Sequence, residues 1–95
     1  MLFFKPGLRY NRRLMKARVY VSLKSTVLDP QGQTIQKALA GMGHPEIAAV
    51  RQGKYFEIDI TGGITAEQAR ANLDRIAADV LANPVIEEYR VEVLG

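Results

Sequence analysis

The chain predicts an α+β fold of the ferredoxin-like kind, βαββαβ, with a four-stranded antiparallel sheet carrying two helices on one face, and three observations predict it. Apolar and polar residues alternate with period two in several short stretches, two longer stretches repeat apolar residues at helical spacing, and turn residues separate them. The order strand, helix, strand, strand, helix, strand then splits into two strand–helix–strand halves, which right-handed crossovers fold into one layered unit. With 95 residues, 47% of them apolar, there is material for one core only. A single domain over 17–95 is therefore expected, preceded over 1–16 by a basic extension that is disordered or peripheral.

Each element has its own local reason. From Ala17 to Lys24, Val19, Val21 and Leu23 alternate with Arg18, Tyr20, Ser22 and Lys24, the pattern of a half-buried strand. Asp29-Pro30 supplies an N-cap and then proline at the first helical position, where the missing amide hydrogen costs nothing. Ile35, Ala38, Leu39 and Met42 follow on one helical stripe, and Gly43 is the expected stop. Two extended runs, Ile47 to Arg51 and Tyr55 to Ile60, are predicted to form a hairpin through Gln52-Gly53-Lys54. In the second run Phe56, Ile58 and Ile60 face one way, and Tyr55, Glu57 and Asp59 the other.

After Gly62-Gly63, the run Thr65-Ala66-Glu67-Gln68 has the spacing of a capping box. Ala69, Leu73, Ile76, Ala77 and Val80 make the apolar stripe of a second helix, with Arg70/Asp74 and Arg75/Asp79 as polar pairs outside it. Asn83 can close that helix in the left-handed conformation, Pro84 forbids its continuation, and Val85-Ile86 begin a strand running to Leu94. Tyr89, Val91 and Val93 are predicted to face inward, opposite Glu88, Arg90 and Glu92. The helix-free side of the sheet would then present Tyr20, Ser22, Lys24, Tyr55, Glu57, Asp59, Glu88, Arg90 and Glu92. Such a surface either faces solvent or meets another subunit.

The formal charge of +3 divides unevenly. Lys5, Arg9, Arg12, Arg13 and Lys16 give residues 1–16 a net charge of +5 with no acid, while residues 17–95 hold eight basic and ten acidic side chains, net −2. The first fourteen residues read as an upstream extension or as a basic arm for an acidic partner. Because the body itself lacks a basic stripe, nucleic acid is not an expected ligand. No apolar run reaches the roughly 18 residues of a membrane span, and Lys5-Pro6-Gly7 interrupts the opening apolar residues. A soluble, cytoplasmic protein with no membrane partner is expected. Without cysteine there is no disulfide framework, thiolate metal site or thiol nucleophile.

A search for chemistry finds none that one chain could perform. His44 is the single histidine, so no triad or zinc cluster can be assembled around it, and Gly43-His44-Pro45 reads as a turn. No phosphate-binding glycine motif occurs. Glu87 and Glu88 point to opposite sides of a strand, and Glu57 with Asp59 suits a solvated or salt-bridged face better than acid–base work. Tyr55 and Phe56 are adjacent and so point apart, which fails the spacing of an RNA-reading strand. Arg51 and Lys54, flanking the expected hairpin, would hold a phosphate or a partner carboxylate, or remain exposed turn charges. Catalytic residues, a bound metal and a cofactor are therefore not expected of this chain. A small-molecule-sensing or a nucleic-acid-binding module of ferredoxin-like type is the alternative class.

Three segments give the chain a resemblance. Val27-Leu28-Asp29-Pro30-Gln31-Gly32, Val50-Arg51-Gln52-Gly53-Lys54-Tyr55 and Leu81-Ala82-Asn83-Pro84-Val85-Ile86-Glu87-Glu88-Tyr89 together resemble the PurS family, the small subunit of phosphoribosylformylglycinamidine synthase in purine biosynthesis. The likeness runs from about Ala17 to the C-terminus, and the first fourteen residues depart from the family pattern. The resemblance implies a non-catalytic subunit bridging a glutaminase and a large synthetase that uses ATP and magnesium, with ammonia passing between them. It further implies a dimer or tetramer of the chain itself. Arg51, Gly53, Lys54, Tyr55 and Tyr89 are then the candidates for partner contact. Asp29, Pro30, Gly32, Asn83 and Pro84 read as family residues that set backbone geometry.

Overall fold

The computed structural model describes residues 14–94; the basic leader over residues 1–13 lies outside them. Strand β1 spans Met15–Leu23, helix α1 Pro30–Gly41, strand β2 Gly53–Ile60, helix α2 Ala66–Ile76 and strand β3 Glu87–Val93. A π-helical turn, Ala77–Leu81, extends α2. The three strands form one antiparallel sheet in the order β2-β1-β3.

β1 lies in the middle because both its edges are satisfied. Val19 stands opposite Phe56 on one side and opposite Val91 on the other. Its alternation is the one read from sequence: Ala17, Val19 and Val21 are buried, and the intervening residues are not. Fully burying a valine of this kind contributes roughly 1.5–3 kcal/mol. The strand opens two residues earlier than expected, at Met15, since Lys16 continues the ladder opposite Asp59 and its ammonium reaches that carboxylate at 3.0 Å.

Ala17, Val19, Val21 and Val91 meet Leu73, Ala77 and Ala82 in the core, with Phe56, Ile58, Ile60, Leu81, Tyr89 and Val93 packed around them. Helix α2 begins as anticipated. Thr65 Oγ1 accepts from the Gln68 amide at 3.0 Å, and Gln68 Oε1 accepts from the Thr65 amide at 3.0 Å. Its buried stripe is Ala69, Leu73 and Ala77, whereas Ile76 and Val80, counted with that stripe from sequence, are exposed.

Two expectations fail. Residues 47–51 form no strand, and Gln52-Gly53-Lys54 form no hairpin; Gly53 and Lys54 are already in β2, opposite Ser22 and Val21. Among the described residues the sheet consequently has three strands, not the four expected. The physical reason is where the backbone polar groups of this run go. Gln36 Nε2 donates to the Ala48 carbonyl at 2.8 Å, and the Gln52 amide donates to Asp29 Oδ2 at 2.8 Å, so α1 and its cap meet needs a partner strand would otherwise meet.

Among the described residues only one helix, α2, covers the sheet, where two were expected. Helix α1 has the predicted start and stop, with Gly43 left-handed at φ 97°, but none of its apolar residues joins the core. Ile35 is 40% exposed and Met42 is 72% exposed. The last strand also starts later than expected, at Glu87. Residues 83–86 make a turn instead, in which the Asn83 carbonyl accepts from the Ile86 and Glu87 amides. Among the described residues, no helix is long and apolar enough to cross a membrane.

Candidate functional site

The sequence-derived candidates fall into two places. Asp29, Pro30, Gly32, Arg51, Gly53, Lys54 and Tyr55 gather where the β1–α1 connection meets the approach to β2. Asn83, Pro84 and Tyr89 lie along the path from α2 to β3.

At the first place the chemistry is that of a clasp. Asp29, only 6% exposed, accepts from the Gly32 amide through Oδ1 at 2.9 Å and from the Gln52 amide through Oδ2. These two amides, with the Arg51 charge nearby, hold its carboxyl below the usual aspartate range. Arg51 turns back onto the connection: its Nη2 donates to the carbonyls of Lys24 at 2.9 Å and Val27 at 3.1 Å, with Leu23 O at 3.4 Å. Gly32 presses against the segment that leads into β2, where an added Cβ would collide with the Val50 carbonyl oxygen. Arg51 was grouped with partner contacts from sequence, and its guanidinium is engaged within the chain. Asp29 was read as a helix cap alone, and its second bond, to a residue 23 positions away, has no local sequence signal.

A cleft of about 390 Å³ opens beside this clasp, lined among others by Ser25, Thr26, Gln33, Gln36 and Arg51. Gly53 fits tightly against β1, with an added Cβ 2.8 Å from Val21 O. Lys54 and Tyr55 are exposed here, as are Pro30, Arg51 and Gly53. Lys54 Nζ lies 5.6 Å from the Phe56 ring centre, and Tyr55 is 56% exposed.

The helix-free sheet face continues from Tyr55. Tyr20 lies at its centre, 5.9 Å from the Tyr55 ring, beneath the Arg90 guanidinium at 4.2 Å, and donating through its hydroxyl to Glu92 Oε1 at 2.9 Å. Arg18 pairs with Glu57 at 3.5 Å, and Lys16 with Asp59 at 3.0 Å. Opposite charges alternate across this face, so it offers a mixed polar and aromatic surface, and its basic groups are matched by acids or rings.

At the second place the polar side chains bond within the chain. Asn83 Oδ1 accepts from the Val85 amide at 3.1 Å, and Glu87 Oε1 accepts from the Asn83 amide at 2.7 Å, which closes the turn around Pro84. Tyr89 is half-buried and donates its hydroxyl to the Asp74 carbonyl at 3.2 Å, tying β3 to α2. His44 lies on the surface with Nδ1 3.4 Å from Glu46 Oε2. Among the described residues, no three histidine, aspartate or glutamate side chains gather as metal ligands would.

Comparison with known proteins places this geometry. The family model described as PurS: Phosphoribosylformylglycinamidine (FGAM) synthase matches residues 16–95. The phosphoribosylformylglycinamidine synthase subunit PurS of Bacillus subtilis is 45% identical over 84 residues, covering 84% of this chain and 93% of that protein. The PurS subunit of Methanocaldococcus jannaschii is 36% identical over 80 residues, covering 84% and 95%. Among solved structures, B. subtilis PurS superposes with a TM-score of 0.70 at 43% identity, covering 85% of this chain and 99% of that one. A chain of the PurLQS structure from Thermotoga maritima superposes with a TM-score of 0.76 at 31% identity, covering 85% and 98%.

Proposed function

The chain belongs to the PurS family of phosphoribosylformylglycinamidine synthase subunits, which serve purine biosynthesis, and from that premise we propose that it is the docking subunit of the assembly. Its partners are a glutaminase, which releases ammonia from glutamine, and a large synthetase, which spends ATP with magnesium to convert formylglycinamide ribonucleotide into the amidine. This chain adds neither a bond-making group nor a cofactor. It bridges the two and helps seal the passage of ammonia, in the cytoplasm where the pathway's substrates are made. Ammonia protonated in bulk water is no nucleophile, so holding the two centres together raises its effective concentration and excludes competing water.

One observation carries this reading: α1 holds its apolar stripe of Ile35, Leu39 and Met42 away from the chain's own core. A helix with an uncovered apolar face is built to meet another chain. The outer edge of β2 supports the same reading, because β1 pairs with its inner edge and, among the described residues, no strand pairs with its outer one. A second copy adding a strand there would complete the four-stranded sheet expected from sequence, giving a dimer from which a tetramer can be built. Lys54 and Tyr55, exposed at the end of that strand, are the first contacts with the partner subunits; Arg51, Gly53 and Tyr89 support them from within.

The test is reconstitution of the assembly with a Lys54→Ala/Tyr55→Ala variant. Glutamine-dependent synthesis should fall several-fold while ammonia-dependent synthesis by the large subunit is spared. Equal rates from variant and unaltered chain in both assays would remove these two residues from the interface.

A further inference from the structure

Helix α1 belongs to a long excursion, residues 24–52, that leaves the sheet at the end of β1 and returns at the start of β2. The hydrophobic core runs through β1, β2, α2 and β3 and contains no residue of this excursion. Burial within it is confined to Asp29 and Gly32, both at the neck where the outgoing and returning segments meet. The neck is closed by polar contacts from both directions. Asp29 on the outgoing side takes the amide of Gln52 on the returning side, and Arg51 on the returning side takes the carbonyls of Lys24 and Val27 on the outgoing side. Between them Gly32 lies so close to Val50 that no side chain fits.

We propose that residues 24–52 form a discrete arm whose pose is set by the Asp29–Arg51 latch at its neck, so that the arm opens while the sheet and α2 stay folded. Arg51 is thus a positioning residue acting inside the chain. It fixes the direction in which Ile35, Leu39 and Met42 are presented, whichever chain receives them. A segment with few buried apolar contacts and a few polar closures opens at lower free energy than the core it is attached to. Losing one partner of a closure frees the other to water, and the opening becomes local.

This inference goes beyond the docking role and stands apart from it, because its test uses the isolated full-length chain with no partner subunit. Amide hydrogen exchange read by mass spectrometry on the unaltered chain, Arg51→Ala and Gly32→Ala is the experiment. Gly32→Ala removes no charge and no exposed group, and by helix propensity alone it would slow opening, so faster exchange in it reports the neck prised apart. Both variants should raise exchange at Gly32, Gln52 and through α1 by about tenfold, with the central β1 amides within about twofold of the unaltered chain. Arm exchange unchanged in both variants would overturn the proposal. So would a parallel rise in β1 and α2, since the arm would then be part of the core's cooperative unit.

Discussion

The sheet with α2 and the arm with α1 are held by different forces. In the first, Val19, Val21, Leu73 and Ala77 are almost fully enclosed, and the apolar faces of two elements meet. In the second, an equally clear helix with a good cap stands on a few hydrogen bonds at its neck. Helix formation follows local chemistry in both; what differs is whether the apolar stripe finds its partner within the chain. This division fits the docking role proposed above, with one part stable on its own and another presenting an apolar face outside the core.

Substitutions in the two stripes should separate them most strongly. Leu73→Ala removes a side chain 2% exposed and should cost about 2–5 kcal/mol in denaturant unfolding of the isolated chain. Ile35→Ala, at the matching position of the arm's stripe, should change the same measurement at low protein concentration by less than about 0.5 kcal/mol. Similar losses in both would erase the distinction. A smaller effect is expected at the α2 cap, where Thr65→Ala breaks the reciprocal pair with Gln68 and should cost about 1 kcal/mol. Smaller again is Lys16→Ala, which removes an exposed ion pair to Asp59 and should cost less than about 1 kcal/mol, vanishing at high salt.

Acid should act on the arm through Asp29. Its folded-state pKa is depressed, so its contribution is present above the unfolded value of about 3.9 and is lost as pH falls through the lower folded value. Hydrogen exchange in α1 should therefore accelerate in that acidic window, beyond the intrinsic pH dependence of exchange, and Asp29→Asn should flatten the change. An unaltered profile in Asp29→Asn would place the acid-sensitive group elsewhere.

What the sequence made legible follows the same division. The period-two alternation of β1, the capping box at Thr65 and the inward set Tyr89, Val91 and Val93 all appear where expected, because each is dictated by residues a few positions apart. Residues 47–51 look extended and are not paired as a strand; the Ala48 carbonyl accepts from Gln36, and the Gln52 amide just beyond the run goes to Asp29, both partners lying at a distance in sequence. The stripe of α1 was equally readable, but periodicity reports that a face is apolar and is silent on what covers it. Over 83–86 the structure departs from the expectation, since the helix ends with an extended Ala82 before Asn83 can cap it and the strand waits until Glu87; at the site, the helix-starting role of Asp29 was legible. The inward turn of Arg51 was not, since an arginine beside a glycine reads as a surface charge until the carbonyls it gathers are in place.

The central claim is that this chain contributes docking surface to a synthase whose chemistry lies on other subunits. Its most direct test compares glutamine-dependent and ammonia-dependent synthesis by the glutaminase and large synthetase with this chain present and omitted. Omission should abolish glutamine-dependent synthesis and leave ammonia-dependent synthesis intact. Glutamine-dependent synthesis at full rate without this chain, or turnover of glutamine or ATP by this chain alone, would contradict it.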